Sequence, residues 1–116
     1  MKYKEDIQKI LIDSFELKLI KYSNEINLNL VDISLIVSLS GGVDSMVLAS
    51  MSVQLRNKYG FKIAFVHFNH HAHLMSRKIQ DFTAQYSKEN CVDFYLQHIY
   101  LNSSNNFESR ARKERY

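Results

Sequence analysis

Residues Ser40-Gly41-Gly42-Val43-Asp44-Ser45 constrain the fold more than any other part of this 116-residue chain. Two of its three glycines stand side by side there, after an apolar run, Ile33 to Leu39, and ahead of an apolar-periodic stretch from Asp44. A buried strand that enters a tight glycine turn and leaves as a helix aims main-chain N–H groups and a helix N-terminus at one point. That geometry favours a phosphate. Gly41 and Gly42 are read as taking positive φ and letting an anion approach the backbone. Ser40 and Ser45 add hydroxyl donors, and the helix dipole adds about half a positive charge. Asp44 repels a bare phosphate, so its place in the turn implies magnesium between carboxylate and phosphate. Neither a Walker A loop nor a dinucleotide fingerprint is present. The plainer reading is an ordinary turn with Asp44 as helix N-cap.

Periodicity extends the pattern along the chain. Ile7, Ile10, Leu11, Phe15 and Leu19 predict an amphipathic helix over 5–22, followed by a polar loop over 23–32. Ile33 to Leu39 is a short buried strand. In the helix from Asp44, Val43, Val47, Met51 and Leu55 form an i, i+4 stripe, and Gly60 is its C-terminal cap. Lys62 to Phe68 is a second strand. Met75, Ile79, Phe82 and Tyr86 mark a third helix, and Val92, Phe94 and Leu96 alternate as a half-exposed edge strand. Asn102 to Asn106 is a loop, and Phe107 begins a further helix. Strands alternating with helices predict an α/β fold with a parallel, Rossmann-like sheet. Residues 1–32 form an N-terminal helix and loop, and residues 33–116 form the α/β domain, which reads as truncated.

Composition bounds the setting. A hydrophobic content of 46% supports a packed core, and the net charge of +3 is compatible with a polyanionic partner. The single cysteine, Cys91, excludes an internal disulfide and reads as a small core residue. No run approaches the roughly 20 apolar residues that span a bilayer. The charged N-terminus lacks a signal-peptide core. The expectation is a cytoplasmic protein with no membrane contact.

Two further segments carry chemistry. Phe65-Val66-His67-Phe68-Asn69-His70 ends the second strand, and ligands gather at the carboxyl ends of strands in open α/β sheets. The dense histidines His67, His70, His71 and His73 lack an acidic or cysteine partner at good spacing, which argues against a metal site. Asn106 to Tyr116 sets Glu108, Arg112 and Arg115 in a helix-like run, with Arg112 and Arg115 as i, i+3 neighbours on one face. Alone, that run reads as a solvated charged helix.

Together the three segments resemble a known family. The hexapeptide at 40–45 looks like the PP-loop of the N-type ATP pyrophosphatases. The segment at 67–70 resembles the H-[VF]-[ND]-H segment of the tRNA(Ile)-lysidine synthetases, and 106–116 resembles their N-x-E-x-x-A-R-x-x-R-Y segment. Where that family continues with Gly-Leu-Arg, this chain has His71, Ala72 and His73. The resemblance implies an adenine-nucleotide α-hydrolase-like fold. Ser40, Gly41, Gly42, Val43, Asp44 and Ser45 would hold the pyrophosphate of ATP, and His67, Asn69 and His70 would line the adenosine pocket. It also implies magnesium on Asp44 and a catalytic role for Asp44 and for Arg112 as cationic stabiliser. Arg115 would contact phosphate or tRNA. The implied reaction is adenylation of the wobble cytidine of tRNA(Ile) by ATP, followed by displacement of AMP by free L-lysine. Two alternatives remain: a truncated ATP- or tRNA-binding module without turnover, and a related tRNA thiolase, which would want reactive cysteines. Family members carry a further H-x-x-D-D-like segment and a tRNA-reading C-terminal part that these 116 residues do not contain.

Overall fold

The computed structural model describes residues 2–72 and 74–100. Its elements follow the order helix, 3-10 turn, strand, helix, strand, helix, strand. Helix α1 is Lys2–Glu25, a 3-10 turn spans Leu30–Asp32, and strand β1 is Ser34–Ser38. Helix α2 is Val43–Tyr59, β2 is Lys62–Asn69, α3 is Ser76–Glu89 and β3 is Asp93–His98. The three strands form one parallel sheet in the order β1-β2-β3. Val37 lies opposite Phe65, and Phe65 opposite Phe94. All three strands therefore end on the same edge of the sheet.

One face of the sheet carries the core. Val37, Ile63 and Phe65 are buried there with Ala49, Val53 and Leu55 of α2. Tyr86 of α3 packs beside Phe65 with ring centroids 6.0 Å apart. The fold class and the edge position of β3 agree with the sequence, and Gly60 caps α2 in the left-handed region at φ 84°.

Three helix faces differ from their periodic patterns. On α1 the inward residues are Ile12, Phe15, Leu19 and Ser23, whereas Ile7, Ile10 and Leu11 are exposed. On α2 the stripe Val43, Val47, Met51 and Leu55 is buried only at Leu55, and Val43 is 79% exposed. The covered face is Ala49, Ser52, Val53 and Leu55. On α3, Met75 and Phe82 are exposed, and the fully buried residues are Thr83 and Ser87. Small hydroxyl residues let α3 lie close to the sheet because their polar atoms are satisfied within the helix. Thr83 Oγ1 donates to the Gln80 carbonyl at 2.9 Å and Ser87 Oγ to the Thr83 carbonyl at 2.8 Å. The displaced apolar side chains line a groove of about 840 Å³ between α1, α2 and Phe82. Cys91 is also corrected: it is exposed, in a turn at φ 55°.

Candidate functional site

Ser40, Gly41 and Gly42 carry the chain from the end of β1 into α2. Gly41 adopts φ 88°, and a Cβ there would meet Ile79 Cγ2 at 2.4 Å. The glycine is therefore required twice, by its backbone conformation and by the close approach of α3. Gly42 corrects the sequence reading. Its φ of −80° lies in the extended region and suits any residue. It is Gly42, and not Asp44, that stands at the N-cap of α2. A Cβ on Gly42 would meet only Ser40 Oγ, at 3.4 Å, so packing within the protein does not demand glycine there.

Hydroxyl groups brace the turn from inside. Ser45 Oγ donates to the Gly42 carbonyl at 3.1 Å and accepts from the Ser40 amide at 3.2 Å. Ser40 and Ser45 hydroxyls lie 3.1 Å apart, and Ser40 Oγ accepts the Gly42 amide at 3.2 Å. The first-turn amides of Val43 and Asp44 point out of the helix end, as the first amides of any α-helix do. The Asp44 side chain is exposed at the second residue of α2, with no hydrogen bond or ion pair to another described residue. A carboxylate so placed could hold magnesium, which takes one or two carboxylates and completes its shell with phosphate oxygens and water. Among the described residues no three metal-ligating side chains cluster; His73 lies outside them.

The ends of β1 and β2 are pinned to each other across the site. The Leu39 amide donates to the Val66 carbonyl at 2.7 Å. His67, buried to 5% exposure, places Nδ1 at 2.6 Å from the Leu39 carbonyl. A carbonyl only accepts, so Nδ1 carries a proton and donates it to Leu39. Asn69 is equally buried and its side chain is committed to the scaffold: Nδ2 donates to Gln80 Oε1 at 2.8 Å, and Oδ1 accepts the His71 amide at 2.9 Å. Its carbonyl accepts the Ile99 amide at 2.8 Å, tying β3 to the same edge.

A cavity of about 360 Å³ opens at this edge, lined by Ser38, Leu39, Ser40, His67, Phe68, Asn69, His70, Ala72, Ser76 and Ile79. The structure thus brings Ser40, His67, Asn69 and His70 together; of the rest of the turn, Gly41 and Val43 line the groove beside α1 instead. Arg112 and Arg115 lie outside the described residues, as does the whole segment Asn106 to Tyr116. Sequence reasoning missed Ile79 and Gln80. Ile79 stood in the α3 stripe as a core residue, yet its place is against Gly41; only the collision at that glycine reveals it. His71 sits at φ 55°, which accounts for glycine at the equivalent point of the resembled segment. Histidine is among the few other residues that enter the left-handed region.

Comparison with known proteins agrees with this geometry. The model of the PP-loop domain family matches residues 13–116. The tRNA(Ile)-lysidine synthase of Buchnera aphidicola subsp. Acyrthosiphon pisum (strain APS) is 33% identical over 84 residues, covering 72% of this chain and 19% of that protein. The chloroplastic tRNA(Ile)-lysidine synthase of Pyropia yezoensis is 34% identical over 85 residues, 72% of this chain and 25% of that protein. The chain spans about a fifth to a quarter of the length of these relatives. With the braced glycine turn, the helix end behind it and the cavity at the strand ends, this match over most of its length places the chain in the PP-loop family of ATP-using domains.

Proposed function

We propose that the chain binds magnesium-ATP at this edge and serves tRNA(Ile) lysidine formation. ATP adenylates the wobble cytidine, pyrophosphate leaves, and the amine of L-lysine then displaces AMP. The observation that carries the reading is Gly42. Its backbone conformation and surroundings tolerate a side chain, so the room in front of it answers to a ligand rather than to the fold. The first-turn amides of α2 hold the pyrophosphate portion, and the Ser40 and Ser45 hydroxyls, which donate within the turn, join them by turning outwards when the anion binds. His67 and His70 line the space for adenosine, and Asn69 keeps that wall in place. Asp44 would hold magnesium, which would supply positive charge to offset that of the phosphates. Arg112 stabilises the same charge, and Arg115 grips phosphate or tRNA backbone. Positioning and charge neutralisation do the work, as in phosphoryl-type transfers generally.

A thiolase reading finds less support. The one cysteine, Cys91, precedes β3 and so lies at the opposite edge of the sheet from the cavity. The test is to incubate the chain with ATP, magnesium, labelled lysine and a tRNA(Ile) transcript, and to follow pyrophosphate release and lysine incorporation. Incorporation that disappears in Asp44→Ala is the expected result. ATP binding without incorporation would reduce the function to a nucleotide-binding module, and no ATP binding would overturn the reading.

A further inference from the structure

Beside the cavity, three aromatic rings meet at the ends of β2 and β3. His71 Nε2 and His98 Nδ1 face each other at 2.9 Å, while the ring centroids are 5.0 Å apart and the planes 20° apart. Nitrogens that close, on rings so nearly parallel, place the two imidazoles edge to edge in one plane rather than one above the other. Tyr100 lies 4.5 Å from the His71 centroid and 5.9 Å from that of His98, at 14° to both. Parallel rings 4.5 Å apart are too close to share a plane, so the phenol backs the pair on one face, mainly at His71. The result is a nearly flat two-ring plate, broad enough to underlie a bicyclic base and supported from one side. His71 is exposed, and Tyr100 is 59% exposed.

The plate is held in place by its surroundings. The His71 amide is bonded to Asn69 Oδ1, and the Asn69 carbonyl holds Ile99, between His98 and Tyr100. His71 keeps φ 55° to reach this position. His70 and Ala72 line the cavity, whereas His71 between them turns away from it towards β3. A ring that leaves the cavity does not serve the nucleotide inside it.

We infer that the His71–His98 plate, backed by Tyr100, stacks an unpaired nucleobase of the RNA substrate, next to the base presented to ATP. This rests on the RNA half of the proposed function. Unpaired bases are commonly bound on aromatic planes, and histidine serves as well as the larger rings. The hydrogen-bonded imidazole pair supplies the width that a single histidine lacks.

The test uses the whole chain and a tRNA(Ile) anticodon stem-loop with 2-aminopurine placed in turn at each loop position. Stacking quenches the probe. The wild-type chain quenches one loop position, and His71→Gly and Tyr100→Ala each weaken RNA binding about tenfold with that quenching lost. ATP affinity is unchanged in both. His71→Gly removes the ring while relaxing a positive-φ backbone, and an unchanged thermal midpoint separates lost stacking from unfolding. Unchanged RNA affinity and quenching in the variants overturns the plate alone. Loss of ATP affinity alongside RNA affinity also overturns it, since the rings would then serve the cavity. A wild-type chain that binds ATP but no RNA overturns both the plate and the RNA half of the function.

Discussion

Single atoms decide the turn at the end of β1. A methyl group on Gly41 meets Ile79 and also forces an L-residue to φ 88°. Gly41→Ala is therefore expected to lose about 1–3 kcal/mol of stability, seen as a lower urea midpoint. Gly42→Ala meets neither obstacle and loses only the better N-cap, about 1 kcal/mol or less. Its expected signature is different: a folded chain whose magnesium-ATP affinity falls at least tenfold by calorimetry. Equal ATP affinity in Gly42→Ala and wild type would remove the phosphate cradle. His67 offers a second residue-scale test. Its buried bond to the Leu39 carbonyl is the side-chain link between the ends of β1 and β2. Truncation in His67→Ala leaves that carbonyl without its side-chain donor and costs about 1–3 kcal/mol. His67→Asn, whose side-chain amide can donate from a similar position, recovers part of the loss in the same denaturation experiment.

At the scale of elements, each helix is oriented by a few specific anchors. Glu16 of α1 accepts from Lys58 Nζ at 2.5 Å and from the Tyr59 hydroxyl, both at the C-terminal end of α2. Arg56, one turn earlier, donates to the carbonyls of Asn90 and Cys91 and so fixes the turn between α3 and β3. The bond from Lys58, then that from Tyr59, holds the Glu16 carboxyl below its usual 4.5. The bond to Glu16 in turn raises Lys58 above 10.5 and Tyr59 above 10.0. A lowered carboxylate stabilises the fold above the unfolded value and stops doing so as pH falls through the folded one; the raised lysine and tyrosine act in the opposite sense at alkaline pH. The α1 attachment is thus strongest between these limits and weakens below 4.5 and above about 10. Thermal melts followed by circular dichroism should show wild type losing more stability than Glu16→Gln on moving from neutral pH to below 4.5. An equal loss in both would show that the anchor adds nothing. These contacts join residues 42 and 43 positions apart, so no local periodicity announces them.

Among the described residues, the sheet is covered by helices on one face. Ile36 of β1 is 77% exposed and Tyr95 of β3 is 58% exposed, with Ala64, Val66 and Phe68 of β2 only half-buried between them. Among the described residues β1 has no strand partner on its outer edge. Parallel sheets are normally covered on both faces, and an open apolar edge pairs readily with another chain. The chain is expected to self-associate with rising concentration. Ile36→Lys should shift sedimentation towards the monomer while changing stability by no more than about 0.5 kcal/mol. Association that is indifferent to this substitution would place the contact elsewhere, with the groove beside Phe82 the next surface to examine.

Local chemistry was enough to recognise the order of elements from α1 to β3, the glycine turn and the histidine segment. Apolar runs, a left-handed cap at Gly60 and two adjacent glycines act over a few residues, and each is written in consecutive positions. The azimuth of each helix was not written there. Val43, Val47 and Phe82 follow helical spacing as well as the true core residues do, yet α2 and α3 turn Ala49, Ser52, Thr83 and Ser87 to the sheet because small side chains permit closer packing. Gly41 against Ile79, Glu16 between Lys58 and Tyr59, and the His71–His98 plate all join residues 27 to 43 positions apart or on separate elements. Such contacts exist only after the strands have set the helices beside one another, and so belong to the tertiary structure.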